Sequence, residues 1–154
     1  MLNQTTVTAL QALLYMMLHE DEAPHAPAEL AGILGASPMY LSKIHTQLVK
    51  AGILQAQRGA KGGVMLARRP ENVTLREVVE ACQGKILGDY CQQHDNVKQV
   101  CAFHAAMHEL QAAILGALDS KTLADLLQKP QPDAKLRPLV NCRMAPASRN
   151  SSGG

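Results

Sequence analysis

Residues 27–52 constrain the fold of this chain more than any other stretch. Leu30, Ile33 and Leu34 make the inward face of a short helix over residues 27–34, which Gly35 ends. Ser37-Pro38 then supplies an N-cap hydroxyl and a proline at the first helical position, where its missing N–H costs nothing. Tyr40, Leu41, Ile44, Leu48 and Val49 carry a second helix to Gly52. Two short helices joined by a glycine turn read as a helix-turn-helix, although any αα-hairpin shares that outline. The residues after Gly52 separate the two readings. Residues 53–58 and 64–67 have the character of two short strands, with Gly59-Ala60-Lys61-Gly62-Gly63 as a flexible basic tip between them. A basic two-stranded hairpin directly after the second helix is the wing of a winged helix.

Charge points the same way. The net charge is only +2, but residues 31–70 contain no Asp or Glu, while Lys43, Lys50, Arg58, Lys61, Arg68 and Arg69 all fall there. The acids flank this stretch, at Glu20, Asp21, Glu22 and Glu29 and then from Glu71 onward. An acid-free basic segment in a nearly neutral chain has the electrostatics of a phosphate-binding face.

Around this unit the periodicity is helical. Val7, Leu10, Leu13, Leu14, Met17 and Leu18 predict a helix over residues 3–19, broken by the acidic run and by Pro24 and Pro27. Thr74-x-x-Glu77 is a capping box that opens a helix with Val78, Val79 and Ala81. Residues 83–98 are glycine-rich and polar, and read as loop. Phe103, Met107, Leu110, Ile114 and Leu118 form one stripe of a long helix over residues 100–118, with Ala106, Ala113 and Leu115 beside it. Taken alone, that stripe reads as core. Thr122-x-x-Asp125 is a second capping box before Leu126-Leu127, and the polar, Pro-containing end reads as a mobile tail. Aromatic residues are 3% of the chain and Trp is absent, so the core is aliphatic, which suits packed helices. No apolar run approaches the roughly 18 residues of a membrane span, and the N-terminus lacks a basic-then-apolar signal pattern. A cytoplasmic location with no membrane partner is the expectation.

The segment AGILQAQRGAKGGVMLARRPENVTLREVVEACQG carries a resemblance to a known family. Gly59, Gly62 and Gly63 match a Gly-x-x-Gly-Gly wing, Leu66-Ala67-Arg68 a strand end, and Thr74-Leu75-Arg76-Glu77-Val78-Val79 a helix start. With the later Thr122–Leu127 motif, they make residues 3–127 resemble the Rrf-type winged helix-turn-helix transcription regulators. That group includes the iron–sulfur assembly regulator, the nitric-oxide-sensing repressor and the cysteine-metabolism repressor. The resemblance implies a fold that is mostly α with a small β-wing, plus a long C-terminal dimerisation helix. It also implies a homodimer on a palindromic double-stranded DNA operator, paired through Phe103, Met107, Leu110, Ile114 and Leu118. The domain organisation expected is a winged helix-turn-helix over 1–81, a sensing loop over 82–99, a dimerisation helix and C-terminal helix over 100–128, and a flexible tail over 129–154.

Cluster-binding members of the family carry three cysteines before the dimerisation helix, sometimes with a histidine one turn after the last. Cys91 and Cys101 occupy the outer positions, and Cys101-Ala102-Phe103-His104 repeats the Cys-x-x-His step, which places both side chains on one helix face. The middle cysteine is absent, with Gln92, Gln93 and His94 in its region. An iron–sulfur cluster of unspecified type at Cys91, Cys101 and His104 would need a further ligand from Cys142, His94, Cys82 or a partner subunit. Cys82 falls where the family usually has an acidic or small residue. Two other readings stay open: a cluster-free thiol switch, and cysteines that only fill space.

For DNA, the readers expected on the second helix are Tyr40, Ser42 and Lys43, with His45 and Gln47 further along and Ser37 at the cap. Arg58 and Lys61 are expected on phosphates or in the minor groove, with Gly62 and Gly63 allowing close backbone approach. The overall expectation is a regulator, a repressor, whose operator binding responds to the cluster or to cysteine oxidation. The alternative is a winged-helix protein-interaction domain. An enzyme using Cys101 as nucleophile and His104 as base lacks, in this sequence, a recognisable orienting group or oxyanion loop.

Overall fold

The computed structural model describes residues 1–86, 96 and 98–144. Helix α1 spans Gln4–Leu18, and the Asn3 side chain caps it by accepting from Thr6 N–H at 2.8 Å. A 3-10 turn at Glu20–Glu22 leads to α2, Pro27–Leu34, with proline in its first turn and Gly35 at its end in the left-handed region, φ 65°. That conformation favours glycine and turns the chain sharply into α3, Pro38–Lys50, whose N-cap Ser37 accepts from Tyr40 N–H at 3.1 Å. Strands β1, Leu54–Gln57, and β2, Gly63–Leu66, pair antiparallel from Leu54 opposite Leu66 to Gln57 opposite Gly63.

Beyond the wing, a 3-10 turn at Pro70–Asn72 precedes α4, Leu75–Gln83, and the predicted capping box is present between Thr74 and Glu77. Helix α5 spans Ala102–Asp119 and α6 spans Leu123–Gln128, the latter opened by the Thr122–Asp125 box. The architecture is thus mostly helical with one two-stranded sheet. Among the described residues no helix is long and apolar enough to cross a membrane.

One aliphatic core joins Leu13 and Met16 of α1, Leu30 of α2, Leu41, Ile44 and Leu48 of α3, and Val64 of β2 to Val78 of α4 and Leu123 of α6. The end of the chain returns to this body: Leu123 N–H donates to Val73 O at 2.9 Å and Leu75 N–H to Lys121 O at 2.8 Å. Two details differ from the sequence reading. Helix α4 continues through Gln83 to Gly84, and the Gln83 amide oxygen accepts from Asn3 N–H at 3.1 Å and Thr6 Oγ at 2.8 Å, so it serves the N-terminus of α1. Past α6, Met144 packs on the core, Arg143 Nη2 reaches Gln4 Oε1 at 2.7 Å, and Gln11 Nε2 donates to the Arg143 carbonyl. Isolated polar and proline residues show no period, so sequence alone could not place this return.

Helix α5 is different in kind. None of its residues is buried by its own chain. Phe103 and Leu110 are exposed, and Met107, Ile114 and Leu118 half-buried, so in one chain the stripe is not core.

Candidate nucleic-acid interface and cysteine site

The apolar face of α3 repeats at Leu41, Ile44 and Leu48, and what lies opposite is polar and open. Ser42, Lys43, Thr46 and Lys50 are exposed there, together with Met39. Of the expected readers, Ser42 and Lys43 therefore face solvent. Ser37 is exposed with its hydroxyl engaged in the cap. Tyr40 is half-buried, and its hydroxyl donates to Thr5 Oγ1 at 3.1 Å, which fastens α3 to α1. Gln47 is half-buried with its amide oxygen enclosed.

His45 must be corrected. It is 3% exposed, because it lies one turn from Leu41 and beside Ile44 on the core side, and it cannot reach a base from there. Neither ring nitrogen has a hydrogen-bond partner among the described residues, and burial pushes its pKa down to about 4, so the ring is neutral. Met39 and Thr46, missed from the sequence, were available to a stricter reading of the helical period: 39, 42, 43, 46 and 50 are the complement of 41, 44 and 48.

The wing carries Arg58 and Lys61, both exposed. The basic residues then divide. Lys43, Lys50, Arg58 and Lys61 make no ion pair among the described residues, whereas Arg68 pairs with Glu77 at 2.7 Å and Arg69 with Glu71 at 2.6 Å. The cations of α3 and of the wing tip are thus left without a carboxylate partner among the described residues. Arg68 serves a different purpose: Glu77 also accepts from Thr74 N–H at 2.8 Å, so one carboxylate ties the end of β2 to the start of α4.

Gly62 and Gly63 are needed inside the chain. A Cβ on Gly62 would crowd the Gly59 carbonyl at 2.8 Å, and one on Gly63 would collide with the His25 carbonyl. His25 and Val64 exchange both backbone hydrogen bonds at 2.9 Å, so the wing is braced from behind by the segment between α1 and α2.

Cys101 is exposed at the N-cap of α5, with Sγ 2.9 Å from His104 Nδ1. The predicted Cys-x-x-His pairing of side chains is present, and a thiol and an imidazole are suitable donors for iron. Cys91 and His94 lie outside the described residues. Cys82 is buried against the core, and burial pushes its pKa up to about 11, which disfavours the free thiolate. Cys142 lines a cleft of about 290 Å³ with Leu14, Leu126 and Met144, to which α5 contributes nothing. Among the described residues no three His, Cys, Asp or Glu side chains converge as a metal site.

A helix-turn-helix with an unpaired cationic outer face, followed by a basic hairpin braced on the same body, defines a winged-helix DNA-binding protein. The chain belongs to the Rrf2 family, described as iron-dependent transcriptional regulators, whose sequence pattern matches residues 2–129. It is 34% identical over 146 residues to the HTH-type transcriptional regulator NsrR of Geobacillus kaustophilus, covering 92% of this chain and 97% of that protein. Its structure resembles IscR of T. potens, with a TM-score of 0.67, 26% identity and coverage of 83% and 86% of the two chains. It shares the fold of CymR, the global cysteine regulator of B. subtilis, with a TM-score of 0.69, 23% identity and coverage of 83% and 96%. The chain is a transcription regulator.

Proposed function

We propose that the protein acts as a homodimeric repressor on a palindromic operator, and that its DNA binding responds to an iron–sulfur cluster or to the redox state of Cys91 and Cys101. The observation that carries this reading is α5, an 18-residue helix with no buried residue that presents an apolar stripe and begins at the Cys101–His104 pair. A second copy laid along Phe103, Met107, Leu110, Ile114 and Leu118 would cover the stripe and place two recognition helices symmetrically.

Cys101 and His104 would hold the cluster with Cys91, and the cluster would supply a redox-labile iron centre. The chain's own residues provide the path to DNA. Helix α4 packs against α5, and Glu77 at its start grips Arg68 at the end of the wing strand. A change in the segment between α4 and α5 therefore bears on the wing through one ion pair and one capping box, biasing an equilibrium between two DNA-binding arrangements.

Protein purified without oxygen is assayed for iron and visible absorption, then for binding to DNA upstream of its own gene. Iron, colour and an affinity that changes on oxidation are expected. The Cys91→Ser/Cys101→Ser variant separates the two chemistries. With a cluster it is colourless and locked in one DNA-binding state under reducing conditions; with a thiol switch it behaves as reduced wild type and ignores oxidant. An iron-free wild type that ignores oxidant sinks the sensing role, and absence of a gel shift on any DNA would leave a protein-interaction module.

A further inference from the structure

Within the helix-turn-helix and wing, one large apolar side chain stands in solvent. Met39 is 85% exposed, whereas Leu41, Ile44 and Leu48 of the same helix are buried. The other exposed large hydrophobic residues among those described lie near the N-terminus, at the end of α1, on α5 and over 136–140. Neither the core nor the α5 stripe explains Met39.

Its position does. Met39 is the second residue of α3, just after the Ser37 cap and Pro38. Ser42, Lys43 and Thr46 follow it at three, four and seven residues and share its face. The N-terminal end of a recognition helix is where base edges are met in the major groove. There thymine shows a C5 methyl that cytosine lacks, an apolar feature in a mostly polar groove. An unbranched thioether has the reach and adaptability to lie against that methyl, and it leaves no hydrogen-bonding group unsatisfied when water is expelled.

We propose that Met39 is a specificity-determining residue that reads a thymine methyl beside the positions contacted by Ser42 and Lys43. This rests on α3 being the recognition helix. It assigns one apolar contact per half-site and requires a thymine there.

A bound sequence is selected from random duplexes, and each thymine is then replaced singly by deoxyuridine, which removes the methyl and nothing else. Affinities are measured for wild type, Met39→Ala and Met39→Leu at one salt concentration, after circular dichroism confirms unchanged helix content. One thymine per half-site should weaken wild type about fourfold on replacement, the burial of one methyl at about 0.8 kcal/mol. Met39→Ala should bind the thymine duplex more weakly and lose nothing more on deoxyuridine, while Met39→Leu should keep part of the discrimination. Equal deoxyuridine losses in wild type and Met39→Ala, or no loss at any thymine, would overturn the proposal. Failure to select any sequence would instead remove the DNA-reading role of α3, and this contact with it.

Discussion

His45 gives the winged helix a measurable sensitivity to acid. Its pKa falls from 6.5 to about 4 because burial removes water from the ring and no partner compensates the charge. The unfolded chain takes up a proton near pH 6.5 that the folded chain refuses until about pH 4, so the contribution is lost as pH falls through that window. From those two values, folding stability should drop by about 2 kcal/mol between pH 7.5 and pH 5, and by about 3 kcal/mol below pH 4. Between pH 7.5 and pH 5 the depressed carboxylates of Glu71, Glu77 and Asp125 add little, because their own contributions are lost only as pH falls below their ordinary values, where they add to the loss from His45. Glu77 is pushed up by burial but held low overall by Thr74 and Arg68, and Asp125 is held low by Thr122 N–H. Both therefore titrate below the ordinary carboxylate values of 4.5 and 3.8. Urea unfolding of wild type and His45→Leu, followed by helical circular dichroism at one protein concentration, isolates the effect. The variant should be nearly flat between pH 7.5 and pH 5 relative to wild type. At pH 7.5 it should be more stable by on the order of 1 kcal/mol, since an enclosed unpartnered imidazole is gone. Parallel pH profiles for the two proteins would refute the reasoning.

Lys61→Ala should lower affinity on every DNA sequence and reduce the salt slope by about one phosphate's worth; an unchanged slope in a salt titration means the wing does not touch DNA. Ile114→Asp places a charge in the proposed α5 seam, at a cost of several kcal/mol to association. Light scattering should then find a monomer, and a dimer of native affinity would put the seam elsewhere. Gly63→Ala forces the wing off the His25 carbonyl and should destabilise the fold by about 1–3 kcal/mol in urea unfolding; a neutral effect would mean the brace has slack. Lys43→Ala should cost roughly 1–3 kcal/mol on the selected sequence and much less on random duplex, if Lys43 contacts a base; equal losses make it a phosphate contact.

The elements were legible wherever chemistry is local. Pro27, Gly35, Ser37 and Pro38 punctuate α2 and α3 by their own backbone preferences, and both capping boxes announce helices from four residues each. The wing followed from glycine and charge. What stayed hidden depends on partners distant in sequence. Gln83 reads as the start of a loop until Asn3 and Thr6 are beside it. Gly62 and Gly63 suggest only a backbone that can approach DNA closely until the Gly59 and His25 carbonyls are seen packed against them. His45 looked like a reader because histidine is polar, yet its register with Leu41 and Leu48 placed it inward. The Cys101–His104 contact was legible from spacing alone, since three residues along a helix return to the same side.

The junction of Thr74 with Thr122 also has a mechanical consequence for the proposed sensing role. The two residues form a bridge at which α4 begins and α5 has just ended. An 18-residue α5 extends about 27 Å from that point, and the nine residues of α4 run about half as far. If α5 pivots about Ser120–Thr122, Cys101 lies at the far end of the lever. A tilt of about 10° at the hinge moves the Cys101 end by about 5 Å over that length. Under the proposed sensing role the same geometry would work in reverse: a displacement of a few ångströms at Cys101 would be geared down to a small rotation beside Thr74, next to the Arg68–Glu77 link.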